Sequence, residues 1–213
     1  MKYYNFIDLP NWKNHQTSIM NFRSNNPPPK ELVDEYAKHA AEGEDTYVSW
    51  YCFFEDKIKE ELPDLYADFK AMGLDVHQMI FFTNKPNDES VTDPKDPMCP
   101  FIHIDAKDDE YDGNDETQFE PTNAINIPLE NCENSFTTFY KINDREDHVY
   151  YPNFYLCGGL EPTAVTEVER FTLSKPAVLR VNVPHAVINP TNELRHVATF
   201  RFYNNTEFLF KDE

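Results

Sequence analysis

After Pro27-Pro28-Pro29 the chain places Leu32, Val33, Tyr36 and Ala40 at intervals of three and four. That is the spacing of one helical face, so 30–41 is predicted to be a helix with proline ahead of its first turn. Ile58, Leu62, Leu65, Tyr66, Phe69 and Met72 repeat in the same way over 56–72. Gly73 supplies a stop there and Pro63 a kink or restart. Beyond Gly73 the texture changes to short β-branched and aromatic runs bounded by Pro, Asn and Asp. Eight strands are expected, at 76–83, 101–105, 124–129, 136–140, 148–156, 164–173, 177–187 and 196–210. Cys157-Gly158-Gly159 reads as a turn.

Helices followed by strands at this spacing predict a mainly β protein with N-terminal helices. The expected fold is a double-stranded β-helix, the cupin-like jelly roll, with the helices packed on one sheet. The chain reads as a single domain, 1–213, with 1–74 a helical support region and 75–213 the jelly-roll core; no linker or internal repeat divides it. Within 177–187, Leu179, Val181, Val183, His185 and Val187 share one face, which turns His185 inward among aliphatics. Along 196–202, Ala198, Phe200 and Phe202 share one face, while Val197, Thr199 and Arg201 share the other with Arg195. One of those faces lines the cavity.

Composition changes the picture in two ways. Hydrophobic residues make up 40% of the 213 and aromatics 15%, enough for a large core. The formal net charge of −19 repels phosphate backbones and anionic lipid, so neither nucleic acid nor a membrane surface is an expected partner. A cationic substrate or a high-salt habitat suits that charge, and so does a plainly solvated acidic surface. The first residues hold no signal-like apolar run and no segment reaches membrane-span length, so a cytoplasmic protein is expected. Cys52, Cys99, Cys132 and Cys157 are far apart with no CxxC pair, as buried or free thiols would be.

The chemistry concentrates in Pro100-Phe101-Ile102-His103-Ile104-Asp105 and in Pro184-His185 far downstream. A histidine and an aspartate two apart on a strand point the same way, so a second histidine from a distant strand completes three ligands around one metal. Each element alone has a plainer account: a hydrogen-bonded pair at a strand end, or a core histidine. Arg195 follows His185 by ten residues, which lets a guanidinium on the last strand reach the same cavity and clamp a carboxylate.

HxD, a distal PH and an arginine ten residues on together resemble the 2-oxoglutarate and Fe(II)-dependent oxygenase superfamily. The likeness is to its prolyl hydroxylase and aspartyl/asparaginyl hydroxylase branches, over about residues 75–203. The resemblance implies that His103, Asp105 and His185 bind Fe(II), that Arg195 binds the distal carboxylate of 2-oxoglutarate with Arg201 in reserve, and that Asn126 or Tyr140 assists. It implies consumption of O2 and oxidation of a small-molecule or peptide substrate, such as an amino acid or protein side chain. No substrate motif is visible, and nothing in the sequence sets the oligomeric state. A cupin-like protein using another metal and a non-catalytic jelly-roll interaction module stay open as alternatives. The acidic stretch 106–120 is expected to be a solvated loop or a lid; Asp108, Glu110, Asp112 and Gly113 echo a calcium loop, but Phe119 stands where its closing glutamate belongs.

Overall fold

The apolar faces of the helices and the alternating strands meet as layers. The computed structural model describes residues 2–38, 48–86, 102–105, 122–143, 150–152 and 158–210. In chain order the elements are β1 (Tyr4–Phe6), α1 (Trp12–Asn25), α2 (Lys30–Ala37), β2 (Trp50–Phe54), α3 (Glu55–Glu61), α4 (Pro63–Ala71), β3 (Val76–Asn84), β4 (His103–Ile104), β5 (Asn123–Glu130), β6 (Phe136–Ile142), β7 (Tyr150–Pro152), β8 (Gly158–Leu160), β9 (Val165–Phe171), β10 (Ala177–Arg180), β11 (His185–Ile188) and β12 (Arg195–Phe202). Two short 3-10 turns complete the list, at Pro162–Ala164 and Glu207–Phe210.

Pro63 opens α4 immediately after α3, where its missing N–H is no loss. Gly73 ends α4 at φ 78, a left-handed conformation that suits glycine, and the next amide, Leu74 N–H, returns to the Phe69 carbonyl at 2.9 Å.

The strands form two six-stranded sheets, ordered β1-β10-β5-β12-β3-β2 and β7-β8-β4-β11-β6-β9, antiparallel throughout. Consecutive strands β3 to β6 alternate between the sheets, and β9 to β12 do so again. This is the winding of a double-stranded β-helix. The outer face of the first sheet carries Met79, Phe81, Ile125, Ile127, Ala198 and Phe200, which pack with Ile19, Phe22, Ile58, Leu65 and Phe69 of the helices. Full burial of a phenylalanine such as Phe200 contributes roughly 1.5–3 kcal/mol. The inner face supplies Ala124, Ala177, Leu179 and Val197, which meet Phe139 and Phe171 of the second sheet. The Arg195 face of β12 is therefore the one that lines the interior.

Several boundaries differ from the sequence reading. The run 177–187 is not one strand: β10 lies in the first sheet and β11 in the second. Residues 181–184 carry the chain across, and Pro184 withholds an amide from either ladder. The run 196–210 stops pairing at Phe202 and ends in a 3-10 turn. Gly158 and Gly159 belong to β8, not to a turn. β1 and β2 flank the first sheet, so the N-terminal region contributes strands as well as helices. Positions 39–41, 101, 106–120, 148–149 and 153–156 of the expected elements lie outside the described residues, as do Cys99 and Cys157; Cys52 and Cys132 are free thiols. Among the described residues no helix is long and apolar enough to cross a membrane.

Candidate metal centre

β11 lies between β4 and β6, and its first residue, His185, stands opposite His103 on one side and Phe139 on the other. The two imidazoles are thus brought together by strand register, with ring centroids 4.4 Å apart and planes at 53°. Asp105 follows β4, its amide fixed by the Val181 carbonyl at 2.8 Å. Its Oδ1 lies 3.3 Å from Nε2 of His103 and 3.7 Å from Nε2 of His185. One ligand atom from each residue falls within 4.8 Å of the others.

The hydrogen bonds say which atoms carry protons. His185 Nδ1 donates to the Val183 carbonyl at 2.9 Å, so its Nε2 carries a lone pair when the ring is neutral. Burial, reinforced by His103 alongside, pushes His185 down to about 4. Burial alone would raise Asp105, but the Arg201 guanidinium and both imidazoles hold it well below the usual carboxylate range. At neutral pH the site therefore points the lone pair of His185 Nε2 at a carboxylate oxygen. Two facing lone pairs repel unless a cation sits between them. Two imidazoles and one carboxylate gathered on one side fit a divalent metal with open positions opposite, the facial arrangement of non-haem iron.

Arg201 is 3% exposed and its Nη2 donates to Oδ2 of Asp105, leaving Oδ1 to the centre of the triad. Arg195 sits on the same face six residues earlier, about 20 Å along the strand. It is 1% exposed, and its Nη1 donates to Oδ1 of Asn84 at 2.8 Å. Among the described residues no carboxylate pairs with Arg195, and its Nε, Nη1 of Arg201, Oδ1 of Asn126 and Oγ1 of Thr199 have no hydrogen-bond partner. Asn126 stands opposite Thr199 on the inner face. Tyr140 is not brought to this strip: it packs with Ile102, Leu160, Ala186 and Ile188 on the other side of the second sheet.

The structure adds three participants that the sequence reading missed. The Val183 carbonyl orients His185, Asn84 holds Arg195, and Thr199 completes the polar strip. A backbone acceptor leaves no trace in sequence, whereas Thr199 shared the inward parity of Arg195 and Arg201. The other described histidines lie elsewhere: His15 pairs with Asp68 at 2.7 Å, His77 packs at a tilt against Tyr203, and His196 bonds Thr83 at 3.0 Å.

No family model matches the chain, and no curated protein matches it by sequence. Among solved structures it is similar to EvdMO1, at TM-score 0.45 and 12% identity over 96% of this chain and 48% of that one, so it spans about half the length of EvdMO1. It is also similar to SnoK, a non-heme alpha ketoglutarate dependent carbocyclase from nogalamycin biosynthesis, at TM-score 0.41 and 12% identity over 93% and 78%. A Pseudomonas putida prolyl-4-hydroxylase aligns at TM-score 0.31 and 12% identity over 83% and 89%. At scores this low the likenesses carry no argument. The class of the site rests on its own donors.

Proposed function

We propose that the protein is a non-haem Fe(II) oxygenase that uses 2-oxoglutarate and O2 to oxidise an organic substrate. The observation that carries the reading is the convergence of one ligand atom each from His103, Asp105 and His185, with Nδ1 of His185 engaged by the Val183 carbonyl so that its Nε2 faces the centre. When bound, the metal would supply the coupling of O2 to the oxidative decarboxylation of 2-oxoglutarate to succinate. The chain's own contribution is to hold, orient and exclude water. Arg201 occupies one oxygen of Asp105, which keeps that carboxylate monodentate and leaves room for a chelating co-substrate.

Arg195 is assigned to the distal carboxylate. Among the described residues this buried guanidinium has a neutral amide as partner and no counter-charge, and a dicarboxylate would supply one. The distance is suitable. Asn189 lies four residues beyond His185 and donates to the Lys85 carbonyl at 3.0 Å, beside Asn84 and hence level with Arg195. Four strand residues span about 13 Å, which a five-carbon diacid and an arginine side chain can share. Asn126 and Thr199 offer polar contacts between, while Val197, Phe139 and Phe171 keep the rest dry. The resemblance to prolyl and aspartyl/asparaginyl hydroxylases, rather than any substrate motif, suggests an amino acid or protein side chain as substrate.

Succinate formation from 2-oxoglutarate, with and without Fe(II), tests the proposal. Turnover that requires both is the expected result. A protein that retains no iron under anaerobic titration, or that retains iron but shows no affinity for 2-oxoglutarate, refutes it.

A further inference from the structure

Arg201 also has neighbours on the solvent side. Two residues on, Tyr203 is 60% exposed, and Phe54 at the end of β2 is 58% exposed. Among the described residues these are the two most exposed large hydrophobic side chains. His77 stands between them, its ring centroid 5.9 Å from Phe54 and 4.6 Å from Tyr203. A bulge puts it there: Arg201 pairs with Gln78 and Phe202 with Val76, so His77 is the extra residue on β3.

Register fixes where this row of rings lies. Phe54 stands opposite Gln78, which stands opposite Arg201. That is two strand spacings, about 10 Å, and Tyr203 is about 7 Å along the chain from Arg201. Arg201 in turn holds Asp105. The rings therefore sit at the rim of the same end of the barrel at which the metal ligands converge.

The surroundings are acidic. Glu55 follows Phe54 in sequence and acts electrostatically on His77, and its carboxylate accepts from the Tyr66 hydroxyl at 2.5 Å. Asp75 binds the Tyr203 amide through its carbonyl at 2.8 Å, and its carboxylate pairs with Lys70. Two carboxylates against one ammonium leave this rim net negative, within a chain whose formal charge is −19. Burial lowers His77 from its ordinary value against the opposing pull of Glu55, so the ring stays neutral and offers a π face.

We propose that Phe54, His77 and Tyr203 form a recognition shelf for a cationic group of the substrate, an alkylammonium or guanidinium, held at the rim while the reacting atom lies at the metal. Aromatic faces attract cations through their quadrupole, and each exposed ring adds roughly two- to five-fold in affinity. The shelf deepens the oxygenase reading and rests on it for its link to catalysis.

Choline and its uncharged carbon isostere, 3,3-dimethylbutan-1-ol, separate cation recognition from simple apolar contact, since they share a shape and differ in charge. Calorimetric titration of the whole chain should give saturable millimolar binding of choline and at least five-fold weaker binding of the isostere. Phe54→Ala and Tyr203→Ala should each lose two- to five-fold, while Tyr203→Phe keeps the affinity. Equal binding of the two probes, no saturable binding, or choline binding untouched in both alanine variants overturns the shelf. Succinate formation is measured alongside. Selective choline binding without Fe(II)-dependent succinate leaves the shelf and removes the oxygenase; succinate without selective binding does the reverse.

Discussion

β12 carries a buried arginine at each end of one face, and the two have opposite electrostatic situations. Arg201 is matched by the Asp105 carboxylate, whereas Arg195 has only the amide oxygen of Asn84 among the described residues. A buried charge without a counter-charge is unfavourable, so an arginine that meets no carboxylate among the described residues is suited to an added anion. In the proposed oxygenase the first arginine supports the metal ligands and the second takes the co-substrate carboxylate. On that reading the contrast makes one strand a ruler between metal and co-substrate.

The strongest way to break the comparison is Asp105→Ala. It removes a metal ligand and strands Arg201, so stability should fall by about 3–5 kcal/mol as iron affinity is lost. Adding Arg201→Met should restore much of the stability and none of the iron binding. His103→Ala and His185→Ala should lose iron with the fold retained, because neither leaves a buried charge unpaired. Chemical denaturation and anaerobic iron titration read both quantities, and an Asp105→Ala protein as stable as the parent would remove the ion pair from the account.

Next in size is Arg195→Ala, expected to weaken 2-oxoglutarate by about 2–4 kcal/mol, roughly thirty- to a thousand-fold, with iron binding near normal. Arg195→Lys should be milder, since it keeps the charge and loses the fork. Arg201→Ala is the matched control and should weaken iron instead. If succinate production against co-substrate concentration shows the larger loss in Arg201→Ala, the two roles are exchanged.

A pH series sharpens the contrast. His185 at one end and His196 at the other are both pushed down to about 4, each chiefly by burial, with His103 adding in the first case and Arg23 with Arg195 in the second. Between the ordinary value of 6.5 and about 4 the unfolded chain takes up the protons that the folded chain refuses. Stability of the metal-free protein should therefore fall as pH drops through that window, His185 contributing on the order of 3 kcal/mol. Asp105 stays ionised throughout and loses its contribution only below the usual carboxylate range. Urea midpoints at pH 7 and 4.5 for His185→Gln and His196→Gln give the check: each should show a shallower fall than the parent. Smallest is Asn84→Ala, which frees Nη1 of Arg195 and should weaken co-substrate binding by about 1 kcal/mol while leaving iron alone.

Much of this was legible in the sequence because alternation records which residues share a face. It placed Arg195, Thr199 and Arg201 together and turned His185 inward. It does not record phase between strands, which is why Tyr140, one step from the inward Phe139, was a poor candidate. Nor does it see a crossing: apolar alternation runs through Val181, Val183 and His185, so 177–187 looked continuous although the chain changes sheets there. α1 was missed because only His15, Ile19 and Phe22 are buried on it. β2 escaped because Trp50-Tyr51-Cys52-Phe53-Phe54 does not alternate. Which arginine meets Asp105 depends on how the two sheets dock, and no local pattern carries that.

The crossing segment has a kinetic meaning. Residues 181–184 give the Val181 carbonyl to the Asp105 amide, the Val183 carbonyl to His185 and the Pro184 carbonyl to the Tyr140 amide. His103 and His185 meet by strand pairing and Asp105 is tied to Val181, so the centre depends on contacts between segments far apart in the chain, whose loop-closure entropy must be met before they form. The centre is therefore expected to assemble late, after the sheets have closed. Iron should then slow unfolding while leaving the refolding rate nearly unchanged, as interactions absent from the transition state do.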